Sequence, residues 1–147
     1  MDRERVDALI KFILAVAGQQ DRGHREVGPI HLVKYVYLAD LAYAERNDGT
    51  TYTGAPWKFH HFGAWAPEVF ARIEPVVKEV GAVERLFSHP ESDEDRKRWT
   101  LDDEEVLHEV ERTLPIEISG KLRKAVRDHG ADTSELLRYV YTTRPML

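Results

Sequence analysis

Apolar residues recur at helical spacing from the start of the chain. Val6, Leu9, Ile10, Ile13, Leu14 and Ala17 fall on one stripe, with Asp7 and Lys11 between them. This predicts an amphipathic helix ending near Gly18. Residues 19–27 are polar and read as a loop. Gly28-Pro29 restarts the chain, because a proline at the first helical position lacks only an amide that has no helical partner there. Residues 30–44 are then apolar nearly all round, interrupted by His31, Lys34 and Asp40. A helix of that pattern is expected at the centre of the fold, as its most buried element.

Asn47-Asp48-Gly49 marks a turn, and 50–56 reads as extended or irregular. Residues 57–62 alternate, with Trp57, Phe59 and His61 on one face and Lys58, His60 and Phe62 on the other, which predicts a short strand covered on both sides. Gly63 is expected to end it, leaving Trp65 in a turn before Pro67. There a helix begins, carrying Val69, Phe70, Ile73, Val77 and Val80. Pro75 within it predicts a kink or break near Ile73 and Glu74. After Gly81, residues 82–87 and 96–101 read as a β-hairpin with its tip at 88–95. Thr100-Leu101-Asp102-Asp103 is expected to start a helix that runs through Arg112, with Val106, Leu107 and Val110 inward. Further helices are expected at 117–129, stopped by Gly130, and at 133–142, with Leu136, Leu137, Val140 and Tyr141. The order of elements predicts an α+β, mostly helical fold: a winged-helix-like core of helices, a short strand and a β-hairpin, with additional helices at the C-terminus.

A chain of 147 residues fits one domain, 1–147. Hydrophobic residues at 42% and charged residues at 32% supply a core and exclude a disordered chain. No run approaches the roughly 18 apolar residues of a membrane span, and Met1-Asp2-Arg3-Glu4-Arg5 is too charged for a secretory signal, so a cytoplasmic protein without a membrane partner is expected. The absence of cysteine removes disulfides, thiolate nucleophiles and cysteine-ligated zinc together.

The net charge of −5 makes nucleic acid an unfavourable partner. Residues 84–111 hold eleven acidic side chains against four basic ones, while 112–147 is richer in basic residues. In a winged helix the third helix commonly enters the groove. Here it offers Arg72 and Lys78 against Glu68, Glu74 and Glu79. Lys121, Arg123, Lys124 and Arg127, on the helix at 117–129, form the remaining basic patch.

Candidate catalytic chemistry is sparse. His60-His61, with His31 and Glu68 as companions, is the conceivable metal or acid-base set, but adjacent strand residues point to opposite faces and no HExxH spacing accompanies them. The serines lack a strained nucleophile turn. Asp102-Asp103 and Glu104-Glu105 sit where they offset a helix dipole. No catalytic residue, cofactor or metal is therefore expected. The aromatic set Tyr35, Tyr37, Trp57, Phe59, Phe62 and Phe70 reads as core. Trp65, in its turn, is the expected anchor of a protein interface.

The segments Leu32-Val33-Lys34-Tyr35-Val36-Tyr37-Leu38-Ala39-Asp40 and Phe59-His60-His61-Phe62-Gly63-Ala64-Trp65-Ala66-Pro67-Glu68-Val69 resemble the signature of the Panacea domain, the SocA-like antitoxin family. The ending from Glu135 to Met146 is similar to that family's closing helix. The chain departs from the pattern at Gly63-Ala64, where the family usually has Gly-Pro. The resemblance implies a cytoplasmic antitoxin of a phage-associated family. It would neutralise a co-encoded protein toxin by direct binding, or present the toxin to a protease. On that reading Trp65, Glu68 and Arg72 contact the partner, and the acidic tip residues Glu91, Asp93, Glu94 and Asp95 steer it. The alternatives are a winged-helix regulator that binds nucleic acid and a metal-dependent hydrolase built on His60 or His61.

Overall fold

A computed structural model describes residues 1–21, 24–60, 63–88 and 96–130, the side chain of His60 excepted. Helix α1 spans Arg3–Gly18 and is capped by Asp2, whose carboxylate accepts the Arg5 amide hydrogen. Its apolar stripe widens toward the C-terminus until every residue from Phe12 to Gly18 is buried, because α1 packs against the other long helices of the fold. Gly18 is required by a close approach: a Cβ there would lie 1.8 Å from the Leu101 carbonyl oxygen.

Helix α2 spans Pro29–Arg46 and is the buried centre that its pattern predicts, with every residue from Pro29 to Asp40 enclosed. Proline occupies its first turn. The free Gly28 amide is satisfied by His31 Nδ1 at 2.8 Å, which leaves that ring nitrogen unprotonated. The loop expected at 19–27 ends instead in a two-residue strand, β1 (Glu26–Val27).

The strand expected at 57–62 is one arm of a hairpin, β2 (Lys58–His60) and β3 (Gly63–Trp65), with Phe59 opposite Ala64 and Lys58 opposite Trp65. Gly63 therefore opens a strand rather than ending one, at φ 82°, and Trp65 lies in that strand rather than in a turn. The hairpin packs on α2: Trp57 and Phe59 meet the Tyr37 ring edge-on at 5.4 and 5.5 Å.

Helices α3 (Pro67–Phe70) and α4 (Ile73–Val80) share the break expected from Pro75, displaced to Ala71 and Arg72. Pro75 has no amide to offer the Ala71 carbonyl four residues earlier, and the helix breaks there. Pro75 itself then falls in the first turn of α4, where it is tolerated. Gly81 closes α4 in the left-handed conformation.

The hairpin of β4 (Val83–Leu86) and β5 (Lys97–Thr100) follows, in register from Val83–Thr100 to Leu86–Lys97. Strand β1 pairs with the other side of β5, giving an antiparallel sheet of order β1-β5-β4. With the β2–β3 hairpin inserted after α2, one helix, a strand, two further helical units and a hairpin whose last strand joins the first follow a winged-helix-like order.

Helix α5 (Glu104–Glu111) starts later than the predicted box, since Thr100 is spent in β5 and Asp103 caps the helix by accepting the Val106 amide hydrogen. Helix α6 (Ile116–His129) packs on α2 and α1. The helix expected at 133–142 and most of the hairpin tip lie outside the described residues. Among those described, no helix is long and apolar enough to cross a membrane.

Candidate protein-binding surface

The β4–β5 hairpin stands beside α3 and α4, and a cleft of about 350 Å³ separates them. Pro29, Phe70, Ile73, Leu86 and Trp99 give it apolar walls, and Glu74, Arg96 and Lys97 complete the lining. Trp99 is only 2% exposed, and its indole N–H donates to Glu84 at 3.1 Å. Lys97 binds Glu74 at 2.6 Å and lies 3.7 Å from Glu84, so two carboxylates share one ammonium beside an apolar opening.

Phe70 joins this cleft to Trp65. Their rings are 5.4 Å apart and tilted by 38°, and both are half-buried. Behind them lies Lys34, with no exposed surface at all. Its ammonium donates to the Ala64 carbonyl and sits 5.0 Å from the centre of the Trp65 ring. Burial pulls this lysine from its ordinary 10.5 down to about 7. A buried lysine on α2 thus fixes both the backbone of β3 and the aromatic pair above it.

A second buried polar centre supports the same region. Asp40, 1% exposed, accepts the Thr53 amide hydrogen at 2.9 Å, the Trp57 indole hydrogen at 2.8 Å and the Thr53 hydroxyl hydrogen at a shorter distance. Burial raises its pKa, against the opposing pull of these donors. The carboxylate ties the segment leading into β2 to the end of α2.

Of the residues read from sequence as partner contacts, Trp65 and Glu68 stand close together, Trp65 half-buried in β3 and Glu68 exposed on α3. Arg72 is committed elsewhere: its guanidinium forms a two-point ion pair with Asp7 at 2.9 Å, which joins the start of α4 to α1 and raises the pKa of Arg72 through that bond. Glu91, Asp93, Glu94 and Asp95 lie outside the described residues, as do His61 and the side chain of His60. Of their companions, His31 is buried at the start of α2, and no group of three or more histidines or carboxylates among the described residues is placed to hold a metal ion.

In the basic patch that the nucleic-acid alternative would use, Arg123 and Arg127 are paired with carboxylates. On α6, Arg123 makes a two-point pair with Glu111 at 2.5 and 2.8 Å, and Arg127 lies against Asp128 at 3.2 Å. Sequence reasoning missed Lys34, Leu86 and Trp99 as parts of this surface. Lys34 had a signal, since a charge within the apolar stretch of a buried helix must be held against something. Leu86 and Trp99 had none, because nothing in two short strands that mix charged and apolar residues marks which apolar residue faces a cleft. In comparisons with protein-family models, curated proteins and solved structures, the chain matches none.

Proposed function

We propose that this protein is a cytoplasmic antitoxin that neutralises a co-encoded protein toxin by direct binding, as its resemblance to the Panacea domain implies. The observation that carries the reading is the apolar cleft between α3–α4 and the β4–β5 hairpin, continued across the surface by the Phe70–Trp65 pair. Half-buried tryptophan beside an apolar hollow is the usual composition of an energetic anchor. The ion pairs of Arg72, Lys97 and Arg123 support a protein partner over nucleic acid, because a cation held by a carboxylate has less to gain from phosphate.

Co-expression with the product of the neighbouring reading frame tests this directly. Wild-type protein restores growth and co-purifies with the toxin; Trp65→Ala keeps its circular dichroism spectrum but loses neutralisation. Full rescue by Trp65→Ala would remove the anchor. A wild-type protein that binds no neighbouring product yet shifts duplex DNA in a salt-dependent way would favour the nucleic-acid regulator, the reading that the β1-β5-β4 strand order supports. Loss of rescue only in cells lacking a protease would assign the protein to toxin presentation.

A further inference from the structure

Strand β4 is the outer strand of its sheet, and among the described residues no strand pairs with its free edge. The Phe87 amide donates to the Arg96 carbonyl, so the antiparallel alternation makes Arg85–Arg98 and Val83–Thr100 the next hydrogen-bonded pairs. The amides and carbonyls of Glu84 and Leu86 therefore point outward, away from β5.

Sheet edges are ordinarily guarded by charged side chains. Here both charges are occupied across the sheet, Arg85 by Glu26 and Glu84 by Trp99 and Lys97. All four residues of the strand are exposed, and the two whose side chains have no charge to pair are apolar: Val83 is 70% exposed and Leu86 63%. Leu86 also lines the cleft, on the same side of the sheet as Glu84, Lys97 and Trp99.

We propose that β4 is a docking edge for an extended segment of the partner protein, which adds an antiparallel strand reading apolar-x-basic. Identifying that partner as a toxin rests on the antitoxin reading; the pairing mode does not. In an antiparallel ladder on these outward groups, the partner residues opposite Leu86 and Glu84 project on the cleft side. The first meets Leu86 and the cleft. The second meets a carboxylate that shares the Lys97 ammonium with Glu74, so arginine or lysine complements it.

A second copy of this chain fits less well. Backbone alternation allows two-fold registers centred on Glu84, Arg85 or Leu86. The first two oppose like charges, and the third pairs Leu86 with itself but gives Glu84 no cation, only Ser88.

The test uses the synthetic peptide acetyl-TVTITKTVT-amide as probe, followed on the full chain by amide resonances and hydrogen exchange. Binding should shift the Glu84 and Leu86 amides and protect them from exchange. Leu86→Pro removes an outward N–H and no bond to β5, so the melting temperature should change little while affinity falls about tenfold. Should Leu86→Pro fail to fold, Leu86→Thr keeps the amide and should weaken binding several-fold with the protection pattern retained. Unchanged affinity in the proline variant, protection at other strands, or self-association that Leu86→Pro abolishes would each overturn the proposal. A Leu86→Pro protein that has lost the peptide but still neutralises the toxin would sink this docking mode and leave the antitoxin reading intact. The expected peptide results with a wild type that neutralises nothing would sink only the antitoxin reading.

Discussion

Lys34 is ionisable, fully enclosed and held by a carbonyl and an aromatic face rather than by a carboxylate. Unfolded, it titrates near its ordinary 10.5; folded, burial brings it to about 7. Between those values the unfolded chain holds a proton that the folded chain has released, so stability rises with pH across the window. The gain should amount to a few kcal/mol, at roughly 1.4 kcal/mol per pH unit spanned. Urea midpoints measured from pH 7 to 10 on wild type and Lys34→Met check this: the slope should vanish in the variant. A wild-type slope that persists in Lys34→Met would show that another group causes it. Asp40 works in the opposite sense. Its folded pKa is raised, so its contribution is fully present at low pH and declines as pH rises above 3.8. The sequence flags both residues as interruptions in an apolar helix, but it does not say which backbone or ring receives them.

At the level of single elements, hydrophobic periodicity worked where a segment was long. Helices α1, α2 and α6 lie close to where their patterns put them. Short pieces were harder. A two-residue strand such as β1 has no period to read, and its existence depends on β5 arriving alongside. The β2–β3 hairpin was hidden because Gly63 looks like a terminator, whereas its positive φ lets it begin the return strand. Two glycines make these local arguments quantitative. Gly120, inside α6, has nothing within 4 Å of a Cβ, so Gly120→Ala should raise stability by about 0.5–1 kcal/mol. Gly18→Ala would drive a methyl into the Leu101 carbonyl and should cost about 1–3 kcal/mol. Thermal melts of the two variants should move in opposite directions; a shift of the same sign in both would contradict the packing described at Gly18.

For the molecule as a whole, charge and shape divide the work. The sheet, α3 and α4 frame an apolar cleft, and the chain connecting β4 to β5 carries Glu91, Asp93, Glu94 and Asp95. Acidic residues chiefly accelerate encounter with a basic partner. Replacing these four by lysine should slow association at low salt, and the difference should shrink as ionic strength rises through about 0.15 M. An on-rate indifferent to the replacement would remove steering from the account.

Local order of polar and apolar residues was sufficient for the class of fold, the central place of α2 and the β4–β5 hairpin strands, because periodicity is a property of the chain itself. Packing alone decided that Arg72 pairs with Asp7 of α1, that Lys34 stands under Trp65, that Leu86 and Trp99 face one cleft and that β4 is left at an edge among the described residues. Each of these depends on which distant segments meet. Contact between residues tens of positions apart leaves no period in the sequence from which to read it.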